Sequence, residues 1–305
     1  MKDTRIRNWS KYNNSLVQRG SITLWIDESA WCAPDKTRIK GRPRHYSHAL
    51  IEAALTLKHI FHLTFRSLQG FLGSISSLMG KKLAIPNYTT KCRRQHNFSL
   101  PLLSRRKDNL PMDIVVDSTG LKIYGEGEWC ASKHGMQRLR TWRKIHLAVN
   151  ANDLQIVGCK LTHSRIQDGT PLNELIDMVP GEIRQIIGDG AYDKFHCYEV
   201  AHRRGSKGIF PPQTGARLSL ETPHHRKAAS QSAIRQRDQA IEGVRKHGRK
   251  EWKERIGYHK RSLAETTMYR LKKILGERLS AKLEENQHLE LLLRCNILNK
   301  LSSIG

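Results

Sequence analysis

The period at which apolar residues recur along the chain changes near residue 108, from that of helices to that of strands. From Ser47 onward the apolar positions lie three and four residues apart, as on one face of a helix: Leu50, Ala53, Ala54 and Leu57. A second short helix is predicted from Phe65 to Phe71, ended by Gly73. A third is predicted to start after Asn87, a residue type that caps helix N-termini. The first hundred residues are therefore predicted to be mainly helical.

The third predicted helix carries side chains that suit DNA. Lys91, Arg93 and Arg94 are candidates for DNA contacts, because three short helices of this kind are typical of a helix-turn-helix type module. A plain helical subdomain explains the pattern equally well. Upstream, the segment with Arg42 and Arg44 in Lys-Gly-Arg-Pro-Arg resembles an AT-hook, which lays its arginines in the minor groove. Basic linkers also produce this short pattern by chance.

After a basic join, short runs rich in β-branched residues predict strands. They are Asp113–Asp117, Lys144–Val149, Gln155–Leu161, Ile183–Ile187 and Lys207–Phe210. Helices are predicted at 171–178 and 192–204, with a long helix near the C-terminus. This order predicts a mixed α/β sheet flanked by helices and matches the chain order of a ribonuclease H-like core. We expect two domains, residues 1–107 and 108–305, with a basic segment at 224–261 that forms a mobile face and not core.

The charge of the chain narrows the class of partner. Lys and Arg number 53 against 28 Asp and Glu, a formal net charge of +25 in 305 residues. Because phosphate contacts release counterions, nucleic acid is the commonest partner of such a basic protein. A membrane surface is the rival partner, but the sequence shows no clear lipidation signal, secretory signal or run of ~20 apolar residues. We therefore expect a cytoplasmic protein that binds nucleic acid and no membrane.

Two aspartates lie where predicted strands meet the edge of the sheet. Asp117 follows three β-branched residues and precedes Ser-Thr-Gly, and Asp189 lies in Gly-Asp-Gly-Ala-Tyr-Asp after another strand. Sites in open α/β sheets are built at such edges, and the glycines beside Asp189 allow close approach. A single aspartate at a strand end is more often a turn or cap residue. The two together are candidates for chemistry.

A third acid lies among regularly spaced residues near the C-terminus. Tyr258, Arg261, Glu265 and Lys272 are separated by 3, 4 and 7 residues. In one continuous helix, at ~100° per residue, they fall at roughly 0°, 300°, 340° and 320° and share a narrow stripe. A solvated stripe of charges on a surface helix gives the same pattern. The two upstream aspartates favour an active site instead.

Three carboxylates in one place would provide hard oxygen ligands for two Mg²⁺ ions, or for Mn²⁺. In two-metal chemistry one ion activates a water or a 3′-hydroxyl and the other stabilises the leaving oxygen. Without such ions the three acids would repel phosphate and one another. Asp117, Asp189 and Glu265 are therefore candidate catalytic residues and metal ligands, and Arg261 and Lys272 suit the flanking phosphates.

The spacing Tyr258-x2-Arg261-x3-Glu265-x6-Lys272 is similar to the Y-(2)-R-(3)-E-(6)-K signature of bacterial insertion-sequence transposases of the DDE class. Asp117 and Asp189 resemble their two catalytic aspartates, and the whole chain resembles the IS-five family. The resemblance implies an enzyme that binds terminal inverted repeats, cuts at the element ends and joins the 3′-hydroxyl to target DNA. It also implies that Tyr258 supports the helix or contacts DNA, and that a homo-oligomer acts on double-stranded DNA at the bacterial nucleoid.

Two other functions remain open at this level. A metal-dependent nuclease or resolvase on the same core would hydrolyse DNA without joining strands. A transposon-derived DNA-binding protein without activity would be expected to lack at least one carboxylate, whereas all three are present.

Overall fold

The computed structural model describes residues 8–26, 46–80, 83–96, 98–104, 110–123, 142–221 and 230–304. The helices are α1 Trp9–Arg19, α2 His48–Ile60, α3 Phe65–Leu78, α4 Tyr88–Gln95, α5 Leu172–Asp177, α6 Phe195–Arg203, α7 Gln231–Arg255, α8 Ser262–Leu275 and α9 Glu284–Ser303. The strands are β1 Met112–Ile123, β2 Trp142–Asn150, β3 Ile156–His163, β4 Ile183–Ile187, β5 Lys207–Ile209 and β6 Arg278–Leu279. Short 3₁₀ turns lie at Ile22–Leu24, Gly190–Tyr192, Ser219–Glu221 and Tyr258–Arg261.

These elements form two compact units. The N-terminal unit comprises residues up to Pro101 together with those from Leu292, and the sheet unit comprises Leu102–Leu291. Helix α9 therefore begins in the sheet unit and ends in the N-terminal unit. Helices α2, α3 and α4 of the N-terminal unit each begin at a side-chain cap, which satisfies free backbone N–H groups, and the cap of α4 at Asn87 is the one that the sequence predicts. The cap oxygens of Ser47, Thr64 and Asn87 accept from backbone nitrogens at 3.1, 3.2 and 2.9 Å.

Helix α3 is longer than the sequence predicts. It continues through Gly73 to Leu78, because Leu72 and Ile75 are both buried and their packing outweighs the low helix propensity of one glycine. Helix α1 was not predicted at all. Its side chains are mostly exposed and few of them are apolar, although Trp9, Tyr12 and Leu16 lie three and four residues apart, a helical spacing that the prediction missed.

The sheet unit contains one mixed sheet with the strand order β3-β2-β1-β4-β5, and β6 also pairs with β1. Strands β1, β2 and β3 form an antiparallel meander, while β4, β5 and β6 are parallel to β1. The predicted mixed α/β architecture is thus confirmed. Along one edge of β1, β4 pairs with residues up to Val115 and β6 pairs from Lys122 onward. Asp117 lies in the interval between these two pairings, in the middle of β1, and not at a strand end as predicted, because β1 continues to Ile123.

Apolar side chains cover both faces of this sheet. On one face Ile114 and Val116 pack with α5 and α6 in a large core that includes Leu175, Tyr198 and Phe210. On the other face a smaller cluster joins Val115, Ile187 and Ile209 to Ala264 of α8, with Tyr258 and Ile256 at its border. Because α8 packs on this second face, the odd-numbered side chains of β1 face the predicted signature residues.

The basic segment 224–261 was predicted to form a mobile face without core residues, and its described part differs from that prediction. Its described part, from residue 230, is almost entirely helix α7, and α7 buries Ile234, Ile241 and Trp252. The chain turns within α7 at Gly248, whose φ of 75° favours glycine. Trp252 then packs against Gly243 of the first arm. Ile234 and Ile241 are seven residues apart, so a helical period was present beneath the charges.

Candidate active site

Alternation along β1 brings four side chains to the face that α8 covers. Successive strand residues point to opposite faces, so Asp113, Val115, Asp117 and Thr119 share one side. Val115 is buried against Ala264, and the polar residues on either side of it meet charged side chains of the segment 258–272. Strand β1 therefore forms the floor of the candidate site.

Asp189 lies beside Asp117 by strand register. Val115 of β1 pairs with Ile187 of the parallel strand β4, and both aspartates lie two residues beyond this pair. The Asp189 carboxylate accepts from the Ala191 backbone nitrogen at 2.9 Å, which fixes its side chain at the start of a 3₁₀ turn. Gly188 is required here because a Cβ atom would lie 2.8 Å from the Tyr192 ring.

Glu265 reaches the site from the first turn of α8. The Arg261 guanidinium joins it to Asp117, donating from Nη1 to Asp117 Oδ2 at 3.3 Å and from Nη2 to Glu265 Oε1. The Asp117 side chain is 16% exposed and that of Glu265 is 53% exposed, so the pair lies at the protein surface and not within the core. One cation therefore holds two acids that are 148 residues apart in sequence.

The electrostatics of Asp117 reflect this crowding. Burial raises the pKa of the Asp117 carboxyl, the Ser118 backbone N–H and the Arg261 charge oppose the rise, and the charges of Asp189 and Glu265 add to it. Burial also raises the pKa of Tyr258, and the same three acids contribute to that shift. Asp117 and Tyr258 thus both lie within electrostatic reach of Asp189 and Glu265.

Metal binding can be judged from the donor set. Among the described residues no three His, Cys, Asp or Glu side chains already form a ready cluster for an ion. The carboxylates around Arg261 are nevertheless all hard oxygen donors, the type that Mg²⁺ and Mn²⁺ prefer. The guanidinium occupies the place between Asp117 and Glu265 where a cation is favoured. The residues fit divalent ions provided that Arg261 turns away from one or both acids.

Of the two remaining signature residues, Tyr258 lies outside the predicted helix and Lys272 lies inside it. Tyr258 lies in the 3₁₀ turn Tyr258–Arg261 and not in α8, so the single continuous helix is wrong. Gly257, with φ 70°, interrupts the helical path just before it. Lys272 is in α8, as predicted, and its ammonium donates to Thr119 Oγ1 at 2.6 Å. This contact keeps Lys272 beside the floor of the site.

An ion cluster that the sequence did not predict lies on β1 four residues before Asp117. The buried Asp113 carboxylate accepts from Arg184 at 2.7 and 2.5 Å and from Lys260 at 2.5 Å. Burial alone would raise the pKa of Asp113, but the hydrogen bonds from the two cations outweigh burial and leave the pKa below its ordinary value. The available signal was an acid four residues before Asp117, and hence on the same face of the strand.

A second polar group lies on the opposite face of the sheet. Asp168 accepts from Lys144 at 2.8 Å, and the buried His146 shares a hydrogen bond with Thr162 at 2.9 Å. Burial lowers the pKa of His146 to about 4, so the ring is neutral at pH 7. Asp193, four residues after Asp189, forms another buried pair with Arg237 at 2.9 Å. These contacts support the strand and turn that carry the two aspartates.

The predicted DNA contacts of the N-terminal unit have three different placements. Lys91 is 0% exposed and its ammonium donates to the Pro86 carbonyl at 2.5 Å, which argues against the predicted DNA contact. Arg94 donates to the Tyr46 carbonyl at 2.6 Å. Arg93 is exposed and lines an open groove with Arg66, Tyr88 and Thr89. Arg42 and Arg44 lie outside the described residues.

Comparison with known protein families agrees with this geometry. A family model described as a transposase DDE domain matches residues 109–300, well over half of the chain, and a second model of the same description matches residues 17–126. The chain belongs to the DDE transposase family. The helix-flanked mixed sheet of this transposase is consistent with the ribonuclease H-like fold, as predicted. Transposases of this class act on DNA and generally use divalent metal ions.

Within the described residues, none of the helices has the length and apolar character needed to cross a bilayer.

Proposed function

We propose that this transposase binds the terminal inverted repeats of an insertion sequence, cuts at the element ends and joins the freed 3′-hydroxyl to target DNA. The observation that carries the proposal is the placement of Asp117, Asp189 and Glu265 around Arg261, where β4 ends beside the middle of β1. In the cutting step water attacks phosphorus and the 3′ oxygen leaves. In the joining step the 3′-hydroxyl attacks a target phosphodiester and displaces its 3′ oxygen.

In this proposal Asp117, Asp189 and Glu265 hold two Mg²⁺ ions, or Mn²⁺. When bound, the ions activate the attacking oxygen and stabilise the leaving oxygen. Arg261 shields the acids from one another before substrate arrives, and then turns toward a phosphate beside the cut. Lys272 is held next to the same strand by Thr119 and can bind a neighbouring phosphate. Tyr258 packs at the border of the Val115 cluster and supports the start of α8.

Recognition of the element ends is assigned, in this proposal, to the N-terminal helical part of the chain, predicted as residues 1–107. The supporting observation is the exposed groove of α3 and α4, where Arg93, Arg66 and Thr89 present two cations and a hydroxyl.

Arg93→Ala should weaken binding of end DNA and reduce its dependence on salt, measured by fluorescence anisotropy with the full chain. Unchanged affinity across a salt series would remove Arg93 from the interface. A dimer or larger assembly would bring two ends together.

The decisive experiment substitutes each acid in the full-length protein. Asp117→Asn, Asp189→Asn and Glu265→Gln should each abolish Mg²⁺-dependent cutting of end DNA, a loss of about a thousandfold or more, because each removes a charged metal ligand. End binding should persist. Asp177→Asn is the matched control, since Asp177 is a surface acid of α5 paired with Arg203. Cutting is measured on labelled end DNA, and joining is measured with pre-cut ends plus a target plasmid.

The outcomes separate the candidate functions. Retained cutting in one acid variant removes that residue from the site. Cutting by the wild-type protein without joining of pre-cut ends indicates a nuclease. Binding with neither reaction indicates a DNA-binding protein without activity.

A further inference from the structure

Two ion pairs attach the segment that carries Arg261 and Glu265 to β1. Lys260 and Arg261 are consecutive residues, yet Lys260 binds Asp113 at 2.5 Å and Arg261 binds Asp117 at 3.3 Å. The two acids are four residues apart on the same face of β1, or about 13 Å at the usual rise of a strand. The two cations therefore extend in opposite directions along β1. Together they fix the position of the segment along the strand.

The local backbone has little of its own to hold this position. The segment Tyr258–Arg261 is a single 3₁₀ turn, whose hydrogen-bond geometry is poorer than that of an α-helix. It follows Gly257 in the left-handed region, and no side chain caps its start. The turn therefore depends on tertiary contacts for its placement. Of the two ionic contacts, the one through Arg261 must change if that guanidinium turns toward DNA.

The Lys260 contact is suited to remain while Arg261 moves. The Asp113 side chain is 0% exposed, so its charge needs its cations in every state of the protein. Arg184 of β4 binds the same carboxylate through two nitrogens, at 2.7 and 2.5 Å. Arg184 lies within the sheet and holds Asp113 without attaching the 3₁₀ turn. Only Lys260, among the cations that bind Asp113, belongs to the segment that carries the signature residues.

We propose that Lys260 is a positioning residue of this transposase: its ion pair with Asp113 keeps the turn Tyr258–Arg261, and thereby Glu265, in reach of Asp117 when Arg261 releases the acids. Lys260 touches neither DNA nor metal in this role. The inference rests on the proposed function for its kinetic consequence only. Its structural consequence, the anchoring of the turn, can be tested without DNA.

The first test measures backbone hydrogen exchange in the full-length protein without DNA. Lys260→Met should raise exchange across residues 258–265 by about tenfold, because the turn loses the ionic contact with β1 that remains when Arg261 moves. Arg184→Gln is the matched control, since it also removes a cation from Asp113 but should change exchange in this segment by less than about threefold. Lys260→Arg should restore protection. The double variant Asp113→Asn with Lys260→Met provides the same measurement without a buried acid that has lost one of its two cations, should Lys260→Met fold poorly.

The second test measures cutting of end DNA at saturating DNA and Mg²⁺. Lys260→Met should lower kcat by about tenfold or more with little change in KM, because substrate binding is kept and Glu265 is misplaced. The kcat of Arg184→Gln should stay within about threefold of the wild-type value, even if this substitution lowers Tm as much as Lys260→Met does. Equal losses of kcat in both variants, in step with Tm, would show a purely structural role. Unchanged exchange at 258–265 in Lys260→Met would overturn the proposal whether or not the protein cuts DNA, whereas absent wild-type cutting refutes only the proposed function.

Discussion

At the scale of single residues, Arg261 explains how three acids coexist without a metal ion. Like charges in one cleft destabilise each other, and the guanidinium between Asp117 and Glu265 offsets this repulsion. The same position makes Arg261 a competitor of any cation that binds there. An arginine cannot lose its proton in this setting, so it must move to make room.

We expect Arg261→Gln to bind Mn²⁺ severalfold more tightly than the wild-type protein in the absence of DNA. The substitution removes a positive charge that now binds Asp117, and the freed carboxylates attract the ion more strongly. Titration followed by electron paramagnetic resonance measures the affinity. Arg203→Gln changes the net charge equally at a distant surface pair with Asp177 and is the control. Weaker Mn²⁺ binding by Arg261→Gln would show that Arg261 organises the acids more than it competes with the ion.

His146 provides a prediction of pH dependence. Burial lowers its folded-state pKa to about 4 from an ordinary 6.5. Between these values the unfolded chain binds a proton that the folded protein does not, so stability falls as the pH falls through this window and levels off below it. From pH 7 to 5 the loss should be about 2 kcal/mol. Urea unfolding at both pH values should show a smaller loss for His146→Gln, and equal losses would place the titration elsewhere.

At the scale of elements, the sequence was sufficient where one signal dominated. The β-branched run around Asp117, the run before Asp189, the apolar spacing after Ser47 and the cap at Asn87 each predicted an element that the structure contains. Strand β6 has only two residues, too few for any period. The 3₁₀ turn at Tyr258 was missed because the spacing of the signature residues fits a continuous helix equally well. The contact of Lys260 with Asp113 depends on which strand lies beneath the turn. That is decided by tertiary packing and cannot be predicted from the local sequence.

The turn within α7 depends on close packing at Gly243. A Cβ atom there would lie 2.6 Å from the Trp252 ring, so Gly243→Ala should destabilise the protein by about 1–3 kcal/mol. Gly70→Ala in α3 is the opposite case, because a Cβ atom meets no other atom within 4 Å. It should be neutral or stabilise by up to about 1 kcal/mol. Thermal unfolding by circular dichroism measures both, and a fall in Tm for Gly70→Ala as large as that for Gly243→Ala would contradict this account.

At the scale of the whole molecule, the division into units does not follow the chain order. The sequence predicted a boundary near residue 107 but gave no sign that residues from Leu292 pack with the N-terminal unit. These residues include Leu293, Ile297 and Leu298, all buried, and Asn296, which donates to the Pro101 carbonyl at 2.9 Å. The apolar character of these residues indicates that they are buried. It does not identify the unit whose core they complete.

Leu298→Ala should therefore weaken the N-terminal unit. Leu298 is 0% exposed, and removing a buried leucine side chain costs about 2–5 kcal/mol. Limited proteolysis should cleave residues 46–96 faster than in wild type, while sites within the sheet unit keep their rates. Leu220→Ala, at a side chain 74% exposed, is the control and should leave both rates unchanged. Faster cleavage confined to the sheet unit would assign Leu298 to the other core.

During synthesis, the helices of the N-terminal unit are made well before the residues from Leu292 that pack with them. Ribosomes release a protein from its beginning, so the helices around residues 46–96 emerge long before the stretch that completes their core. A nascent or prematurely terminated chain would carry the groove of Arg93 without the buried leucines after residue 292. Such fragments should be poor competitors for the proposed end DNA, which leaves that DNA to molecules that already contain all three acids proposed as catalytic.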